Sequence, residues 1–160
     1  MENSVLVKTA VIAAVLLILF AFFFESSPTA FVVFAILSAA ALFRKNHTKE
    51  TRMKKVVIYL LMFMLTLGIT SANGYFAKRS AGRIIAAAES YARKTGAYPG
   101  QLSDLVPEFL PKVPAAKYTF LDNGFKYIAR EKQHILIYVK KPPYGRAYYN
   151  FEEKKWGTMD

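Results

Sequence analysis

The chain contains no cysteine. Disulfides, thiolate nucleophiles and every zinc site built on cysteine are therefore excluded. It has only two histidines and one tryptophan. No G-x-S-x-G, H-E-x-x-H, Walker A or glycine-rich dinucleotide pattern occurs, so the common nucleophilic, zinc-hydrolase and nucleotide-binding signatures are missing. The long apolar runs carry no ionisable residue at their centres, and such residues are the usual mark of a transport or proton path. Neither a catalytic residue, a cofactor nor a metal site is expected.

Apolar residues and positive charge are what the sequence has in quantity. Of its 160 residues 54% are hydrophobic, and the formal net charge is +11. That length allows one modest domain plus membrane segments. Residues 1–74 are apolar apart from one basic loop, whereas residues 75–160 read as a water-soluble module. Both halves are basic: seven Lys/Arg face three Asp/Glu in the first, and fifteen face eight in the second. A basic surface beside a membrane points to anionic headgroups or acidic partners before nucleic acid.

Val5–Phe24 is interrupted only by Lys8 and Thr9. At about 1.5 Å per residue it can cross a hydrocarbon core of about 30 Å. A cleaved signal peptide fits less well, because the run is long and no small-x-small site follows Phe24. Glu25-Ser26-Ser27-Pro28 predicts a turn, with Ser27 as N-cap and Pro28 as first helical residue. Thr29–Phe43 is short for a span; it crosses with little tilt or forms a re-entrant hairpin. In the following loop, 44–55, Arg44, Lys45, Lys49, Arg52, Lys54 and Lys55 face Glu50 alone. Such loops stay cytoplasmic. Val56–Ala72 is then a third span, and everything beyond Ala72 lies outside. Lys78, Arg79 and Arg83 follow closely and oppose this bias without reversing it. Small residues four apart (Ala10 and Ala14, Ala35 and Ala39, Gly68 and Ala72) suit close helix packing in lipid.

Lys54–Lys94 has no strong helix breaker and predicts one helix that leaves the membrane as the spine of the soluble module. Ala77, Ala81, Ile84, Ala88 and Tyr91 fall on one face, and Gly96 is suited to the left-handed C-terminal cap. Gln101–Pro114 predicts two short helical turns, the second opened by Pro107. Lys117–Phe120 predicts an edge strand, and Phe125–Arg130, His134–Lys140 and Arg146–Phe151 predict a three-stranded meander. The expected fold class is α+β: three transmembrane helices, the third continuing into an amphipathic helix on a small antiparallel β-meander.

The order Ile84-Ile85, Tyr91, Gly96-Ala97-Tyr98-Pro99, Leu102, Leu105, Pro107, Leu110-Pro111, Pro114, then a meander, resembles the type IV pilin-like fold. The nearest text is the major pseudopilin of type II secretion. The motif match covers Ile84–Pro114 and the architecture Tyr75–Phe151. The family's processing site is not matched: Lys54-Lys55-Val56-Val57-Ile58-Tyr59 lacks its glycine and glutamate, and two further spans precede it. Nor do Glu152, Glu153 and Asp160 reproduce the family's calcium cage. The resemblance implies a pilin-type domain fixed on a membrane anchor that does not polymerise.

His47 and His134 fall on opposite sides of the membrane in this topology and cannot share a site. Asp104 and Glu108 are four apart on a short helical stretch, a pattern more typical of helix-end charge than of acid–base chemistry. The candidate interaction surface is the aromatic-basic cluster Lys140, Lys141, Tyr144, Arg146, Tyr148, Tyr149 and Trp156. Aromatics beside cations suit protein interfaces and glycan stacking; equally, tyrosines fill the core that an alanine-rich helix leaves small. The function expected is non-enzymatic: a bacterial inner-membrane protein whose extracytoplasmic module, 75–160, binds another envelope protein, a secretion or pilus-type assembly being one setting for it. The bilayer is the other partner, and nucleic acid is not expected. The alternatives are recognition of cell-wall glycan, immunity against a toxin, or a cytoplasmic module on acidic partners.

Overall fold

The computed structural model describes residues 2–25, 27–130, 133–141 and 145–159, with Lys141 described by its backbone. The chain divides into two units, Met1–Ser71 and Ala72–Asp160.

The first unit is helical. Helix α1 spans Glu2–Ile18 and ends in a π-helical turn, Leu19–Phe23; α2 spans Ser27–Phe43; α3, Lys49–Thr95, begins here and contributes its later residues to the second unit. Thr48 caps α3, its hydroxyl accepting from the Thr51 N–H at 3.2 Å. Capping satisfies one of the four amide donors that every helix start leaves open. Thr9, Thr66 and Thr70 return their hydroxyls to carbonyls one turn back, at 2.9, 2.9 and 3.0 Å, which satisfies each hydroxyl within its own helix. Ala13, Ala30, Phe34, Ala41 and Tyr59 form the interior. Val11, Phe31, Ile36, Leu61 and Met64 point outward.

Two helical segments, Glu2–Phe23 and Lys49–Thr95, are long and apolar enough to cross a membrane, and Ser27–Phe43 is shorter. The expectation of three spans is corrected to two. Seventeen residues rise about 25 Å, short of a core of about 30 Å. The small-residue spacing also needs correction. Ala35, Ala39, Gly68 and Ala72 are exposed, and the tight contacts fall instead on Ala13, Ala30 and Ala41.

The second unit is α+β: the later part of α3 packs on a four-stranded antiparallel meander, β1 Lys126–Arg130, β2 Gln133–Lys141, β3 Gly145–Asn150 and β4 Lys155–Met159, in spatial order β1-β2-β3-β4. Ala77, Ala81, Ile84 and Ala88 are buried, with Tyr91 packed beside them, as the stripe predicts. Alanines let the helix lie close to the sheet, so the large side chains come from the sheet: Leu136, Tyr138, Tyr149 and Phe151. Gly96 takes φ +86° and its N–H reaches the Ala92 carbonyl at 2.9 Å, closing the helix as a left-handed cap does.

The segment after Gly96 departs from expectation. Leu102–Leu105 is one 3-10 turn; a single hydrogen-bonded turn follows, the Phe109 and Leu110 N–H groups both donating to the Leu105 carbonyl at 2.9 Å, but Pro107, joined to Val106 by a cis peptide, opens no second helix. Lys117–Phe120 is not a strand. Its backbone is held otherwise: the Tyr118 N–H donates to Asn73 Oδ1 at 3.2 Å, and the Ala116 N–H to the Asn123 carbonyl at 2.8 Å. The meander has four strands where three were expected, β4 being the addition. On the sheet face away from α3, a Cβ at Gly157 would lie 2.3 Å from Tyr148 Cζ. The Tyr148 ring thus covers a position where only hydrogen fits, a pairing that shields a glycine within a strand.

Candidate functional site

Strand alternation sends Tyr138, Ala147, Tyr149, Trp156 and Thr158 toward α3. Between this face and the helix lies a cleft of about 580 Å³, lined by Lys78, Gly82 and Ile85 from α3 and by Tyr138, Lys140, Ala147, Trp156, Gly157 and Thr158 from the sheet. Its floor is aromatic. The Trp156 ring sits 5.3 Å from Tyr149 and 6.1 Å from Tyr138, the latter edge-on. Offset and edge-on geometries are the favourable ones for aromatic pairs. Trp156 remains 48% exposed, so a rigidly backed indole faces solvent. Among the described residues two lysines and no carboxylate line the cleft, so its rim is basic beside an apolar floor.

The cluster proposed from sequence is divided by the fold. Lys140 and Trp156 line the cleft together. Tyr149 is buried beneath the indole, and burial raises its phenol pKa, with Glu89 adding to the effect. Arg146 and Tyr148 occupy the opposite sheet face. Tyr144 and the Lys141 side chain lie outside the described residues. The helix contributions, Lys78, Gly82 and Ile85, were not singled out, although Lys78 and Gly82 are spaced four apart, one helical turn.

A second group was missed. His134 Nδ1 lies 2.6 Å from Glu152 Oε1, and the His134 N–H donates to Glu152 Oε2 at 2.9 Å. The imidazole packs 5.3 Å from Tyr98 and 6.2 Å from Tyr127. Both phenols are committed elsewhere: Tyr98 donates to the Phe151 carbonyl at 3.3 Å and Tyr127 to the Pro99 carbonyl at 3.1 Å. The group therefore clamps the end of the β2–β3 hairpin to the Tyr98-Pro99 turn. Partial burial alone would push the Glu152 carboxyl up, but the hydrogen bonds from the His134 backbone and ring outweigh it and hold the carboxyl below its usual range. Because the folded state favours the carboxylate, its contribution is complete above the ordinary glutamate value near ~4.3 and fades as pH falls through the depressed folded value. Melting temperature followed from pH 7 to pH 3 should drop at the acid end, and Glu152→Gln should remove that part of the slope. An unchanged slope in the variant would show that the clamp contributes nothing.

Asp104 and Glu108 diverge: Asp104 accepts from the Gln101 N–H at 3.0 Å, and Glu108 pairs with Lys94. Among the described residues no three of His, Cys, Asp and Glu group to hold a metal. No family model matches the chain, and neither a curated protein nor a solved structure matches it.

Proposed function

We propose that the chain is a non-enzymatic, membrane-anchored envelope protein whose α+β unit, pilin-like in its order of motifs, binds another protein through the Trp156 cleft. The observation that carries this is a half-exposed indole, fixed from behind by two tyrosines, between two lysines with no acid among the described lining residues. Backed aromatics flanked by cations are what tight protein contacts use as anchors. The partner it fits is a segment carrying a carboxylate next to an apolar side chain. The apolar helices of the first unit, two of them long enough to cross a bilayer, form the anchor, with the loop 44–55 cytoplasmic and the α+β unit outside, and the outward apolar side chains of the first unit support a lipid environment.

Photocrosslinkers placed at Thr158 and at exposed Arg93 in intact cells test the cleft. Thr158 should capture a defined partner that Arg93 does not, and Trp156→Ala should weaken that capture by roughly tenfold or more while melting is unchanged. Equal capture at both positions, or a loss explained by unfolding, would overturn the reading. Retention on purified wall polymer that depends on Trp156 would replace a protein partner by a glycan. A carboxy-terminal phosphatase fusion active only outside the cytoplasm checks the orientation; fluorescence from a reporter that folds only in the cytoplasm would reverse it.

A further inference from the structure

Lys55 is 6% exposed, which is unusual for a lysine without a counter-charge. It lies one turn before Tyr59 on α3, and both residues line a pocket of about 310 Å³ with Leu37, Ala41, Phe43 and Arg44 at the end of α2. The geometry of the turn holds Arg44 there. Arg52 Nε donates to the His47 carbonyl at 2.9 Å, and its Nη1 donates to the Leu42 carbonyl at 3.2 Å, pinning the connection that carries Arg44. The two nearby acids are engaged elsewhere: Glu50 pairs with Lys54 at 2.6 Å, and Glu2 accepts from the Thr48 hydroxyl at 3.0 Å. Among the described residues, neither Lys55 nor Arg44 has a carboxylate partner.

We propose that this pocket binds the phosphate of an anionic phospholipid, between the Lys55 ammonium and the Arg44 guanidinium. The inference rests on the membrane-anchor reading. Burying a cation without a partner disfavours the folded state, and a bound phosphate supplies the missing charge. Arginine offers a planar fork matched to phosphate oxygens, and lysine adds a compact point charge. The remaining walls, Leu37, Ala41 and Phe43, are apolar, and Phe43 is among the most exposed hydrophobics of the chain. Acyl chains fit against such a wall, whereas a free phosphate gains nothing from it. Basic pockets between membrane helices on the cytoplasmic side take lipid headgroups in this way.

The test uses the full-length chain in detergent, titrated with phosphatidylglycerol or phosphatidylcholine and read by native mass spectrometry. One phosphatidylglycerol should bind in preference to phosphatidylcholine. Lys55→Gln and Arg44→Gln should each weaken that first binding by roughly tenfold or more, and Lys55→Arg should retain it. Lys45→Gln removes the same charge from the loop but not from the pocket, and should cost about fivefold at most, the effect of one diffuse surface cation. Equal losses at positions 44, 45 and 55 would reduce the site to general attraction and overturn the proposal. So would binding of both lipids alike, or displacement of the lipid by millimolar inorganic phosphate. Lys55→Met should melt no lower than the parent chain, so lost binding in that variant is not lost folding. Alkaline carbonate extraction separates the two readings: release from membranes would sink the anchor itself, whereas a retained chain without lipid preference sinks only this site.

Discussion

Phe151→Ala is expected to lower the stability of the α+β unit by about 3–5 kcal/mol, the range for removing a fully buried ring. Phe151 is 1% exposed and sits where three phenol rings converge: Tyr98 at 5.1 Å, Tyr149 at 5.1 Å and Tyr127 at 5.8 Å. Its backbone is tied as well, the N–H donating to the His134 carbonyl at 3.0 Å and the carbonyl accepting from Tyr98. Alanine keeps those backbone bonds, so the loss reports the ring and the cavity it leaves. The cavity would open between residues from β1, the β2–β3 hairpin and the Tyr98-Pro99 turn, with little freedom to close. Denaturant unfolding of the full chain in detergent, followed by the fluorescence of the single tryptophan, checks this. Trp156 packs on Tyr149, next to the deleted ring, and reports the same core. A loss below about 1 kcal/mol would mean that the aromatic cluster is not the unit's centre.

A second large effect is expected on α3. Ala88→Asp places a carboxylate at a position that is 0% exposed, in an interior of alanine, leucine and aromatic side chains. An uncompensated buried charge costs about 3–5 kcal/mol. Ala86→Asp is the matched control, because Ala86 is exposed on the same helix two residues away. There the change should cost only the helix-propensity difference, about 0.5 kcal/mol. The two variants have identical composition, so their difference isolates the face of the helix. Similar losses at both positions would contradict the packing of α3 on the sheet.

The helix face was legible because alanines and one isoleucine at spacings of four and three leave little choice of side. The Gly96 cap and the first three strands were legible for comparable local reasons. β4 was not. Lys155–Met159 carries a glycine and a threonine beside one tryptophan, too short and mixed to alternate visibly, and it is a strand because Asn150 to Arg146 offer a free edge. Lys117–Phe120 has strand-forming residues but pairs with neither edge strand, β1 or β4, and hydrogen bonds to Asn73 and Asn123 hold this stretch instead. The His134–Glu152 pair depends on cross-strand register. Ile135 pairs with Asn150, but between Val139 and Lys141 the register shifts, so counting outward from the turn misplaces every later partner by one. The cleft was half legible. Lys140 and Trp156 stand out as cation and aromatic, while splitting Tyr148 from Tyr149 follows from strand alternation alone. The short middle helix could be read only as a length against a bilayer thickness.

The contact between Tyr148 and Gly157 bears on how this sequence can drift. A side chain at position 157 must displace the ring, since even a methyl carbon would fall 2.3 Å from Cζ. Removing the ring first turns the same glycine into an ordinary, replaceable strand position, and any residue with good strand preference then becomes an improvement. The two positions therefore constrain each other in order as well as identity: among descendants of this chain, loss of the aromatic at 148 opens position 157 to change, whereas a change at 157 first requires the Tyr148 ring to swing aside.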